Sequence, residues 1–94
     1  MKDLNYFETR VMSAVEDLIK TNKSKKTVFL GNRNGRYVIK ILFENDKLSF
    51  ETGNYEDYEF EPLETYYDIP KSDIDKVKSI VSNLLSYWYH RIYL

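Results

Sequence analysis

Apolar residues recur along this chain at two different periods, three to four at both ends and two in the middle. From Leu4 to Lys20, Leu4, Phe7, Val11, Ala14, Val15, Leu18 and Ile19 fall at spacings of three and four, the apolar stripe of an amphipathic helix. Asp3 or Asn5 is placed to cap its start, and Glu8 stands three residues after Asn5, as a capping-box acid does. From Ser72 to about Tyr93, Ile74, Val77, Ile80, Val81, Leu84, Leu85, Trp88 and Ile92 make a broader stripe. Ser72 is the expected cap there, with Asp75 completing the box.

Between the helices the pattern alternates. Thr27–Leu30 and Arg36–Phe43 are β-branched and aromatic runs separated by Gly31-Asn32-Arg33-Asn34-Gly35, and Asn34-Gly35 suits a tight hairpin. In the second run Tyr37, Ile39, Ile41 and Phe43 share the face expected to be core. Arg36, Val38, Lys40 and Leu42 share the other, expected to be mixed or partly covered. Glu44-Asn45-Asp46-Lys47 predicts a second turn into Leu48–Thr52, and Gly53-Asn54 a third, before an edge-like strand over Tyr55–Phe60 that Pro62 ends. Leu63–Ile69 reads equally as extended or irregular chain, closed by Pro70. The expected fold class is α+β: one small domain over residues 1–94, in the order αβββ(β)α. An antiparallel meander sheet packs against the N- and C-terminal helices, with its second face at least partly open.

Composition removes several kinds of chemistry. The chain has 94 residues, no cysteine and a single histidine, so disulfides, thiol catalysis and cysteine-based zinc sites are excluded. His90 is expected at the surface near a helix end. The acids have neither EF-hand nor two-histidine zinc spacing, so no metal and no cofactor is expected. An activated nucleophile needs an adjacent base and a group to orient it, and the chain lacks the usual parts; the expectation is that it is not an enzyme. The start leads into an amphipathic pattern rather than a signal-peptide profile, and no apolar run approaches a membrane span. The expected location is the cytoplasm, with no membrane partner.

Net charge is −1, but the charges fall in blocks. Met1–Leu42 holds nine bases and four acids (+5), Phe43–Asp75 two bases and eleven acids (−9), and Lys76–Leu94 three bases and no acid (+3). Within the acidic block stand Tyr55, Tyr58, Tyr66 and Tyr67. Carboxylates along extended backbone can imitate phosphate spacing, and tyrosines are rigid anchors with a polar tip. The leading expectation is therefore a non-enzymatic inhibitor or adaptor that binds a protein with a basic nucleic-acid-binding groove. Tyr55, Glu56, Asp57, Tyr58, Glu59, Glu61, Glu64, Tyr66 and Tyr67 would be the contact residues, and direct DNA binding is not expected. The plainer reading is a solubilising edge.

The alternative is a small nucleotide- or RNA-binding protein, in which Lys25, Lys26, Arg33 and Arg36 form a basic rim at the first hairpin if the end of the first helix lies near its tip. A homodimer through the aromatic C-terminal helix, with Trp88 buried and at least one of Tyr87, Tyr89 and Tyr93 in contact, is a third reading. The general character, short, cysteine-free, locally very acidic and rich in Lys, Asn, Ile and Tyr, resembles small proteins of bacteriophages and mobile elements. Among these are anti-CRISPR proteins that act by stoichiometric binding. The likeness is one of composition and carries over no functional residue.

Overall fold

The computed structural model describes residues 4–32, 35–56 and 58–93. Helix α1 (Leu4–Thr21) is followed by strands β1 (Lys25–Asn32), β2 (Gly35–Glu44), β3 (Lys47–Glu56) and β4 (Glu59–Pro70), then helix α2 (Ile74–Tyr93). The strands form one antiparallel sheet in the order β1-β2-β3-β4. The α+β meander expected from the alternation is therefore present, with four strands, all longer than their sequence signals.

Both helices lie on one face. Phe7, Val11, Ala14, Val15 and Leu18 of α1 and Val77, Ile80, Val81, Leu84, Leu85 and Trp88 of α2 are buried in one cluster with Val28, Leu30, Tyr37, Ile39, Ile41, Phe43, Leu48, Phe50 and Ile69 of the sheet. Burial of each large apolar side chain contributes about 1.5–3 kcal/mol. Trp88 joins the layers: its ring meets Phe7 of α1 edge-on at 4.7 Å and lies nearly parallel to Tyr37 of β2 at 6.3 Å. The Tyr37 hydroxyl donates to the Leu84 carbonyl at 3.4 Å. Ile74, expected on the core stripe, is instead exposed at the first position of α2.

The cap of α2 differs from expectation by one position. Asp73, not Ser72, starts α2: its carboxylate accepts from the Lys76 N–H at 3.3 Å and its carbonyl from the Val77 N–H at 3.1 Å. The Asp73 N–H is tied to the Pro70 carbonyl at 3.0 Å, which sets where the helix begins. Asn5 lies inside α1 rather than capping it, and Asp3 lies outside the described residues. Asn22 takes the left-handed position after α1 with φ 54°, a place usually held by glycine.

Gly53-Asn54 is not a turn. β3 runs straight through it, and Gly53 pairs with Pro62 on β4. A Cβ on Gly53 would stand 2.4 Å from the Phe60 ring and 2.6 Å from the Glu61 carbonyl oxygen, so the glycine serves close approach of a ring and a neighbouring strand. Pro62 likewise does not end its strand, because β4 is an edge, where a missing N–H is tolerated. The β2–β3 turn is as expected: Asn45 and Asp46 have φ 54° and 61°, the two positive values a type I′ hairpin needs. The Asn34-Gly35 hairpin falls partly outside the described residues, with Asn32 pairing with Gly35 across it.

Two register shifts bend β4, opposite Ser49 and Thr52. At the second, buried Thr52 replaces the regular ladder: its hydroxyl donates to the Glu64 carbonyl at 3.1 Å and accepts from the Glu64 N–H at 2.9 Å. At the first, the Ser49 hydroxyl accepts from the Asp68 N–H at 3.2 Å, and Asp68 has φ 57°.

Two outcomes follow. Gly53→Ala is expected to destabilise the fold by about 1–3 kcal/mol in chemical denaturation, the cost of overpacking. Part of that loss should return in the Gly53→Ala, Phe60→Ala double variant, which removes the ring but not the backbone contact. Burial pushes the Tyr37 phenol from about 10 up to about 12. The neutral form is thus favoured in the folded state, and its stabilisation is complete below pH 10 and is lost as pH rises toward 12. Alkaline denaturation of Tyr37→Phe, compared with the parent, should show this loss reduced by about 2–3 kcal/mol.

Candidate binding surface

The second sheet face, opposite the helices, is where the unusual side chains gather. Register places Lys25, Thr27 and Phe29 of β1, Arg36, Val38, Lys40 and Leu42 of β2, Lys47, Ser49, Glu51, Gly53 and Tyr55 of β3, and Phe60 of β4 on it. No helix covers Val38, yet it is fully buried. Its cross-strand neighbours explain this: Phe29 stands on one side, and on the other is Gly53, over which the Phe60 ring lies. Tyr55 meets Phe60 at 5.0 Å. The Lys40 ammonium sits 4.3 Å from the Phe60 centroid, and the Arg36 guanidinium 5.8 Å from that of Phe29, both within cation–π range.

This aromatic layer is only partly shielded. Phe29 is 45 %, Tyr55 37 % and Tyr67 65 % exposed, and Tyr58, in the β3–β4 connection with φ 68°, is fully exposed. A cleft of about 510 Å³ is lined by Phe29, Arg36, Tyr55 and Tyr58. At the far end of the same face a second cleft, of about 370 Å³, includes Lys25, Lys47, Ser49, Tyr67 and Asp68.

The acidic, tyrosine-rich stretch becomes the β3–β4 hairpin and the β4 edge, and its members separate. Glu59 and Glu61 are exposed and flank Phe60, so they point to the helix side of the sheet. Glu64 and Tyr66 are half-buried and tied together, the Tyr66 hydroxyl donating to the Glu64 carboxylate at 3.1 Å. Burial first, and that carboxylate second, raise the Tyr66 phenol. Tyr66 packs against the core, while Tyr55 lies on the open face and Tyr58 and Tyr67 are presented to solvent. The Glu56 side chain and Asp57 lie outside the described residues.

The alternative basic set is not gathered at one hairpin. Lys25 and Lys26 open β1, whereas Arg36 pairs with Gly31 at its other end, roughly 20 Å away at about 3.3 Å per residue. Lys26 is also committed to Asp17 at 2.8 Å, a pair that holds the Asp17 carboxyl below its usual range. Arg33 lies outside the described residues. What the residues do form is a sheet polarised across its width. Lys25 and Lys26 open β1, which contains no acid, although Lys26 pairs with Asp17 of α1; Glu59, Glu61, Glu64 and Asp68 stand on β4, which contains no base.

Sequence reasoning placed Lys40 on the second face but missed Phe29 and Phe60 as groups of that face. The available signal was Phe29 itself, an aromatic in register with Lys25 and Thr27 on the polar side of an alternating strand. His90 is exposed, with Nδ1 2.8 Å from the Ser86 carbonyl oxygen. Among the described residues no group of three or more His, Cys, Asp or Glu side chains is arranged to hold a metal, and no helix is long and apolar enough to cross a membrane. No protein-family model matches the chain, and no curated protein or solved structure shows significant similarity to it.

Proposed function

We propose that this protein is a non-catalytic binding module, an inhibitor or adaptor that docks its acidic β4 edge and β3–β4 hairpin into the basic groove of a nucleic-acid-handling protein. The observation that carries the reading is the polarity of the sheet. Its β4 strand holds four carboxylates and no base, three of them (Glu59, Glu61 and Asp68) exposed, with exposed Tyr58 and Tyr67 near its two ends. A one-signed edge of this kind steers a complementary partner and raises its association rate. Exposed tyrosines add rigid contact area at low entropic cost. The bent, proline-containing edge also opposes strand addition, so recognition would run through side chains.

Capture of partners from host cells with tagged protein, at low and high salt, tests the reading. The parent is expected to recover a basic nucleic-acid-binding protein that added DNA or RNA displaces. The Glu59→Lys, Glu61→Lys variant should weaken that complex by about tenfold or more at low salt, mainly through slower association. Equal recovery by the charge-reversed variant, or recovery that nucleic acid does not compete with, would contradict it.

A further inference from the structure

The cleft on the open sheet face has a chemistry opposite to that of the β4 edge. Three rings, Phe29, Tyr55 and Tyr58, line it together with one guanidinium, Arg36. Lys40 lies four residues along β2 on the same face, beyond Val38 and outside the cleft lining, its ammonium over Phe60, whose ring in turn meets Tyr55. Neither Arg36 nor Lys40 has a carboxylate within ion-pair distance among the described residues. Glu51, the cross-strand neighbour of Lys40, is the acid of this face nearest to it in register.

These features define the guest. Partly exposed rings favour a planar π-system, and the surface is too open to enclose an aliphatic chain. Arg36 repels a cation that the rings alone would attract, and it favours an anion at the edge of the stack. The cleft, at about 510 Å³, lies within the range that accepts a ligand of drug or nucleotide size. Open sheets that bind single strands work in the same way, with bases stacked on exposed aromatics and the backbone held by neighbouring cations.

We infer that the Phe29–Arg36–Tyr55–Tyr58 cleft binds a nucleotide unit, its base stacked on the aromatic side chains and its phosphate held by Arg36. This goes beyond the protein-docking role of the β4 edge and uses different charged residues. The nucleotide is either free or part of a single strand; both present the same base and phosphate.

The test uses the full chain, a short fluorescein-labelled oligouridylate read by anisotropy, and AMP and UMP read by amide chemical-shift changes. Binding to the strand alone supports the site and identifies a polymer; binding to the monophosphates as well supports it and identifies the free nucleotide as sufficient. Phe29→Ala and Tyr55→Ala, both at exposed positions, should each weaken binding by about fivefold to a hundredfold. Arg36→Gln should weaken it and lower the salt slope by about one. Lys78→Ala on α2 serves as the unchanged control. Glu59→Lys, Glu61→Lys should retain binding, which separates failure of this inference from failure of the docking role. No binding of any probe overturns the inference. So does binding that Arg36→Gln abolishes while Phe29→Ala and Tyr55→Ala leave it intact, since that is diffuse charge attraction without stacking.

Discussion

Covering a four-stranded sheet on one face only is the constraint from which the rest of this molecule follows. Two helices supply the cover, and Trp88 locks them to β2 through Phe7 and Tyr37. The alternation of β1, β2 and β3 delivers Val28, Leu30, Tyr37, Ile39, Ile41, Phe43, Leu48 and Phe50 to that side. The other side must then be stabilised by its own side chains. Val38 is buried there between Phe29 and the ring of Phe60, with the stems and charges of Arg36 and Lys40 laid over the rings. Long basic side chains are suited to this, since they cover apolar surface while keeping their charge in water.

The same arrangement accounts for the irregular β4 strand. Phe60 can lie over the sheet only because Gly53 has no Cβ, and once it does, Glu59 and Glu61 turn to the opposite side. The two register shifts then redirect the rest of the strand. One ties Glu64 to Thr52, and beyond it Tyr66 packs inward; at the other the Asp68 N–H is held by Ser49. Bulges, prolines and carboxylates on an edge are all devices that prevent unwanted sheet pairing. The acidic edge therefore has a structural account beside the proposed docking role, and the charge-reversal measurement separates the two.

Much of the fold was legible in the sequence because it rests on periodicity. The stripes from Phe7 to Leu18 and from Val77 to Trp88, and the alternation from Tyr37 to Phe43, are patterns that only one secondary structure satisfies. What local reasoning could not reach was set by contacts distant in sequence. Gly53-Asn54 has turn chemistry, but a ring seven residues on decides that Gly53 stays in the strand. Ser72 and Asp73 both have capping side chains, and the Pro70 carbonyl selects the second. Lys25, Lys26 and Arg36 look like one basic cluster until the length of β1 separates them. Phe29 and Phe60 appear as core candidates one at a time, and only the register puts both on the uncovered face.

Hydroxyl-radical footprinting of the isolated protein, read residue by residue by mass spectrometry, tests the one-sided sheet most directly. Tyr58 is expected to oxidise at a rate close to that of the unfolded chain and Phe29, Tyr55 and Tyr67 at intermediate rates, while Trp88, Phe50 and Tyr37 stay protected. Protection of Phe29 and Tyr55 equal to that of Phe50 would show that the second face is covered, and would contradict the account.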